Sequence, residues 1–186
     1  ENLTFHIDLA ERLGSELIRV VAGTPSPFPE ENREELKNQL LSVFDRTLPR
    51  LRDLGIRIGL ENHYDLPTDD LVQVVERVND EHVGLVLDTT NGLGFIERPE
   101  ETLGKVLPHL LSVHVKDYVV EKVEAGYLIR GAGLGKGLLD YRNMLRRVLS
   151  EQPSASIILE MTVRRDAEMS AEETVSWELG QVETSV

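Results

Sequence analysis

The sequence predicts an α/β fold: a buried parallel sheet that closes as part of a (β/α)8 barrel. Three observations carry the prediction. Apolar runs alternate regularly with stretches whose apolar residues recur at helical spacing. The runs are too continuous for half-exposed strands, as Val83, Leu85, Val86 and Leu87 show. Four successive runs also end on a polar residue able to bind a metal: Glu61, Asp88, His114 and Glu160. In an open sheet, ligands gather at a switch point served by a few strands. In a closed barrel every strand end faces one axial site, so four consecutive polar ends favour closure.

The elements follow in order. Residues 3–13 place Leu3, Ile7 and Ala10 at helical spacing, and Gly14 suits a helix C-cap. Residues 17–21 form a short β-branched strand, and the prolines of 24–29 mark a loop. Residues 31–54 read as a long amphipathic helix with Leu36, Leu40, Val43, Phe44, Leu48 and Leu51 on one face. Pro49 is expected to kink or divide it, and Gly55 ends it. A strand over 56–61 leads to a helix from Thr68 that turns Leu71, Val74, Val75 and Val78 inward. The strand ending in Asp88 is followed by a helix opened by Arg98-Pro99-Glu100-Glu101, then by the strand ending in His114. Residues 118–137 are expected to be a polar, glycine-rich loop. A helix over 138–149 turns Tyr141, Leu145 and Val148 inward, a strand runs to Glu160, and a last helix over 171–179 carries Trp177.

At 186 residues and 40% apolar content, residues 1–186 are expected to form a single domain with a real core. A full barrel typically needs about 250 residues, and only five strands are visible. The chain therefore looks like the C-terminal part of a barrel lacking its first three βα units. Two exposed parallel edges would be an aggregation liability, so association into a homo-oligomer is expected. The absence of cysteine excludes disulfides, thiolate zinc sites and a cysteine nucleophile. A net charge of −13, from 20 basic and 33 acidic residues, opposes nucleic-acid binding. No stretch is apolar enough to span a membrane and no signal-peptide pattern is visible, so a cytoplasmic location is expected.

Three carboxylates and an imidazole converging at strand ends repel one another without a cation; with a divalent cation they make a hard-donor site. Asp88 equally suits a cap on the turn that follows it. His63 would point the same way as Glu61 along a continuing strand, and either it meets substrate or it is a loop histidine. Lys116 reads as a substrate contact or as half of an ion pair. His6, His82 and His109 lie in or beside helices and read as structural. GAGLGKG at 131–137 fits neither phosphate-binding pattern, because it does not directly follow a strand and Lys136 is followed by Gly137 rather than Ser or Thr. Its glycines are expected to permit a tight loop.

The motifs LENH at 60–63, LDTTN at 87–91, VHVKD at 113–117, GLGKGLLDY at 133–141 and LEM at 159–161 give the chain a family resemblance. It resembles the xylose isomerase-like TIM (β/α)8 barrels, the sugar phosphate isomerase and epimerase group, over essentially its whole length. The resemblance implies one divalent ion (Mn2+, Mg2+, Co2+ or Zn2+) on Glu61, Asp88, His114 and Glu160. It also implies an isomerase or epimerase acting on a sugar, sugar phosphate or keto-polyol through a metal-stabilised enediolate, with Glu61 and Glu160 exchanging the substrate proton. Asn91 stands where many relatives have a substrate-touching histidine. Arg130 is the nearest later counterpart of an arginine that some relatives carry after the histidine matching His114, and Lys136 replaces a frequent glutamate. Together with His63 and Lys116, Asn91 and Arg130 are the expected substrate contacts. The alternatives are a dehydratase of the inosose type, an endonuclease-IV-like nuclease, which needs further histidines and a basic face, and an inactive barrel fragment.

Overall fold

The computed structural model describes residues 3–23 and 29–160. Five strands form one parallel sheet in the order β1-β2-β3-β4-β7: β1 (Leu17–Val20), β2 (Arg57–Glu61), β3 (Val83–Asp88), β4 (Leu110–Val115) and β7 (Ser156–Leu159). Each neighbour in space is the next sheet strand in sequence, the order of an arc of a barrel rather than of a doubly wound sheet. The connecting helices are α1 (Leu3–Leu13), before β1, then α2 (Glu30–Leu54), α3 (Thr68–Val78), α4 (Pro99–Val106) and α5 (Tyr141–Glu151). The last helix expected from the sequence, with Trp177, lies outside the described residues, as do Thr24–Phe28 of the proline-rich loop.

Strand pairing divides the sheet into two chemically different faces. Val20 pairs with Leu60, Leu60 with Leu85, and Leu87 with Val113, so these apolar side chains share one face. They meet Phe44, Leu48 and Leu51 of α2, Leu71, Val74 and Val75 of α3, and Leu103 and Val106 of α4 in a single buried cluster. The opposite face is small and polar. Gly59 pairs with Gly84, Glu61 with Val86, Asp88 with His114, and Ser112 with Ser156. A Cβ on Gly59 would come within 2.5 Å of Val86 Cγ2, so the lack of a side chain there is required by packing.

Two expectations need correcting. Pro49 does not divide α2, which runs unbroken from Glu30 to Leu54. Its buried stripe runs through Phe44, Thr47 and Leu48 and resumes past the proline at Leu51, and that burial outweighs one lost backbone hydrogen bond. Residues 118–137 are not simply a loop. They carry an antiparallel hairpin of β5 (Asp117–Val123) and β6 (Gly126–Ala132), turning at Glu124-Ala125, with Gly126 at φ 134°. The signal was present in Tyr118, Val119, Val120 and Val123 on one strand and Tyr127, Leu128 and Ile129 on the other, with Val120 opposite Ile129, but interspersed charges and glycines hid it.

The glycine-rich segment after the hairpin closes on an anion that the chain itself provides. Asp117 accepts hydrogen bonds from the backbone N–H groups of Tyr118, Gly135, Gly137 and Leu139 at 2.8–3.0 Å. Gly135 sits at φ 81°, and a Cβ on Gly137 would lie 2.2 Å from Asp117 Oδ1. The tight loop expected from the glycines is there, wrapped around a carboxylate. Asp140 then caps α5 by accepting from Asn143 N.

Candidate metal centre

Glu61 ends β2, Asp88 ends β3, His114 lies on β4 and Glu160 follows β7 directly, all on the polar face of the sheet. One ligand atom from each lies within 4.8 Å of all the others. Glu61 and Asp88 are fully buried and His114 nearly so, whereas the Glu160 side chain is 40% exposed. Glu61 Oε1, Asp88 Oδ2 and His114 Nδ1 are buried, and their partners are charged groups of the cluster itself. Charges held out of water need such compensation. Three oxygens and one imidazole nitrogen converging there fit a divalent cation of the hard or borderline kind.

The two oxygens of Asp88 have different tasks. Oδ1 accepts from Thr90 N, Thr90 Oγ1 and Asn91 N at 2.9–3.1 Å, which is the capping role the sequence allows. Oδ2 faces the cluster, 2.7 Å from Lys116 Nζ. Asn62 locks the strand end: its Nδ2 donates to Asp88 O at 3.0 Å, and Asp88 N donates to its Oδ1 at 2.6 Å. Thr89 does the same one strand on, its Oγ1 bonded at 2.8 Å to both O and N of Lys116.

Cations from the chain compensate the carboxylates. Lys116 Nζ bridges Asp88 Oδ2 and Glu160 Oε1 at 2.7 and 2.9 Å. His114 Nδ1 lies 2.8 Å from Glu160 Oε2 and 3.6 Å from Glu61 Oε1. Arg19 Nε pairs with Glu61 Oε2. Burial pushes the Asp88 carboxyl up, against the opposing pull of Lys116. Burial also acts to raise Glu61, but His114 and Arg19 outweigh it and hold that carboxyl below its usual range. The bond to Glu61 raises the His114 imidazole, and burial of Lys116 is outweighed by Asp88 and Glu160.

The residues expected to touch substrate are placed unequally. Lys116 stands inside the cluster. Asn91 is buried behind Asp88 with Nδ2 unpaired, and His63 packs edge-on against Tyr64 with Nδ1 buried and unpaired. Arg130 lies on β6, where its Nε pairs with Glu121 across the hairpin at 2.8 Å. Of the histidines expected in or beside helices, His82 lies in the turn after α3, against Asp80 at 3.0 Å, and His109 lies near Glu76 at 3.8 Å. Sequence reading missed Arg19. Its signal was a charge inside the apolar run LIRVV, which needs a partner.

A parallel barrel arc whose strand ends converge on a cation-type cluster defines an α/β-barrel protein with a candidate metal centre. The comparisons identify its kin: the chain belongs to the xylose isomerase-like TIM barrel family, whose model matches residues 1–178. It is 26% identical over 176 residues to the 3-oxo-isoapionate decarboxylase of Pectobacterium atrosepticum, covering 94% of this chain and 61% of that protein. A xylose isomerase-like TIM barrel protein from Mycobacterium smegmatis, solved in complex with magnesium, superposes with a TM-score of 0.66 at 22% identity, covering 97% of this chain and 66% of that one. A D-tagatose 3-epimerase-like protein superposes with a TM-score of 0.65 at 21% identity, covering 97% and 67%. At these identities the two structures establish the fold. The chain spans about three fifths of the length of the decarboxylase.

Proposed function

We propose that the chain carries the reaction centre of a divalent-metal-dependent enzyme acting on a small polyhydroxylated carbonyl compound at the carbon beside the carbonyl, as an isomerase or epimerase. The observation that carries this reading is the pair of carboxylates Glu61 and Glu160. They belong to one cluster with Asp88 and His114 but arrive from β2 and the end of β7, with two strands between them. Glu61, Asp88, His114 and Glu160 would hold the ion. Bound there, a divalent ion would polarise the substrate carbonyl and a neighbouring hydroxyl and so acidify the C–H between them. The chain's own residues then handle the proton. Glu160, the exposed member, takes it at a carboxylate oxygen; a proton handed back from Glu160 would complete an isomerisation, and one delivered to the opposite face by a Glu61 that has first taken a proton from solvent would complete an epimerisation. Asn62 and Thr89 keep the strand ends in register, and Lys116 keeps Asp88 and Glu160 apart from a bare charge repulsion. Residues 1–186 are proposed to form a single domain, the C-terminal part of a (β/α)8 barrel, associated as a homo-oligomer.

Decarboxylation is the second reading, favoured by the 94% of this chain that aligns with the 3-oxo-isoapionate decarboxylase. Breaking a C–C bond to a carboxylate β to a ketone releases CO2 and leaves the electron pair on the same carbon that proton abstraction would expose. Protonation there completes the reaction. A dehydratase shares the first step and loses a neighbouring hydroxyl instead.

The test is a screen of ketoses, inososes and 3-oxo sugar acids with Mn2+ in D2O, followed by NMR. Deuterium entering the carbon beside the carbonyl, without CO2, supports the isomerase reading. CO2 release supports decarboxylation. Activity that survives both Glu61→Gln and Glu160→Gln would remove the cluster from the chemistry.

A further inference from the structure

The hairpin of β5 and β6 presents apolar side chains to solvent. Val120 and Val123 on β5, and Tyr127, Leu128 and Ile129 on β6, are between 39% and 74% exposed. A two-stranded hairpin is marginal in water unless a further strand or a packed helix supports it. Its root is anchored, by Asp117 beneath the glycine loop and by Leu138 N donating to Tyr118 O at 2.7 Å. Its outer edge is open. Among the described residues, no backbone–backbone hydrogen bond joins Gly126–Ala132 to an element other than β5. Natural edge strands are commonly blunted by lysine, proline or an inward charge. β6 reads GYLIRGA, and its one charge, Arg130, is matched by Glu121 on β5 at 2.8 Å. Nothing on this edge repels another strand.

Register shows which strand fits it. A strand laid antiparallel to its own copy is self-complementary about one central residue, the arrangement of a two-fold interface. The centre of Gly126–Ala132 is Ile129, and pairing about Ile129 uses all seven residues. Ile129 then lies beside Ile129 of the second copy. Because Val120 is already opposite Ile129, an apolar row of Val120, Ile129, Ile129 and Val120 crosses all four strands. Tyr127 falls opposite Gly131 of the second copy, where its ring covers the bare backbone. Arg130 falls opposite the neutral Leu128. Centring on Leu128 instead shortens the pairing to five residues, and centring on Arg130 sets two guanidinium groups side by side.

We propose that β6 is a dimer seam: the partner is a second copy of this chain, joined β6 to β6 in an antiparallel four-stranded sheet centred on Ile129. This gives a surface to the association proposed above and is independent of the metal reading. β5 begins at Asp117, directly after Lys116, so the seam also steadies the end of β4 in each copy.

The experiment follows the full chain by sedimentation velocity from micromolar to submillimolar concentration. A monomer–dimer equilibrium with a Kd in the micromolar range is expected, because one strand pair is a small interface. Ile129→Lys and Ile129→Glu each place two like charges on the two-fold axis and should weaken the dimer by about tenfold or more. Mixing the two variants should restore a dimer, since a lysine then lies beside a glutamate, and that recovery shows both variants to be folded. Leu149→Lys, an equally exposed change on α5, should dimerise as the parent does. A parent that stays monomeric would overturn this inference and the proposed association together. A dimer that survives both Ile129 variants would place the association elsewhere on the chain and overturn this inference alone. Two monomeric variants that stay monomeric on mixing would overturn it as well.

Discussion

Asn62 and Asp88 are joined in both directions: the Asn62 side-chain amide donates to Asp88 O, and the Asp88 backbone N–H donates to Asn62 Oδ1. The amide of Asn62 acts as one more rung between β2 and β3, beyond the last register pair, and it fixes where Asp88 begins. Asn62→Ala would leave a buried N–H and a buried C=O without partners, at about 1–3 kcal/mol each. Urea unfolding should report that loss, and Mn2+ affinity should fall with it because Asp88 loses its fixed position. A variant as stable as the parent would show that water replaces the amide.

Lys116 is a fixed cation among carboxylates that can bind a metal. Lys116→Met removes the competitor and the internal counter-charge together. The metal-free protein should lose about 3–5 kcal/mol, because removing Lys116 leaves the buried Asp88 carboxylate uncompensated. Its affinity for Mn2+ should instead rise, by about tenfold if the repulsion is worth 1.4 kcal/mol. Thermal melts with and without Mn2+ would show a larger metal-induced shift in the variant. An unchanged shift would mean that the ammonium swings away when the ion enters.

Gly137 has no room for a methyl group, with Asp117 Oδ1 and Tyr118 O at 2.2 and 2.3 Å from an added Cβ. Gly137→Ala must push the loop off the carboxylate that organises it. A destabilisation of about 2–3 kcal/mol is expected. Asp117→Ala, which removes the acceptor of four backbone N–H groups, should do the same damage by the opposite route. Because the two changes strike one feature, the double variant should cost less than the sum of the singles.

Asp80 predicts an acid limb. The His82 backbone N–H first, and Arg52 second, hold its carboxyl at about 2, against 3.8 for a free side chain. A depressed folded pKa means stability that is fully present above about pH 4 and is lost as pH falls toward 2. With Arg52 half exposed, solvent screening leaves a contribution on the order of 1–2 kcal/mol. Asp80→Asn should flatten this part of the stability profile between pH 4 and 2. An identical slope in parent and variant would assign the acid limb to other carboxylates.

What the sequence by itself determined is the local chemistry along the chain. Continuous apolar runs ending at Glu61, Asp88 and His114 revealed buried parallel strands and their polar ends, because a charge closing an apolar run must have a partner; the run before Glu160 also pairs in parallel, as β7, but among the described residues it is an exposed edge strand rather than the buried one expected. The helix limits at Gly14 and Gly55 were legible for the same reason: a left-handed cap is a property of one residue. Tertiary structure decided everything that depends on register and on competing partners. Arg19 reaches Glu61 only because β1 pairs Arg19 with Gly59, and Arg130 goes to Glu121 because a hairpin forms where charges and glycines masked the strand pattern. Pro49 stays inside α2 because packing of Phe44, Leu48 and Leu51 outweighs one missing hydrogen bond. Spacing in sequence cannot rank these outcomes, since each is a contest between contacts distant along the chain and only the folded geometry brings the contestants together.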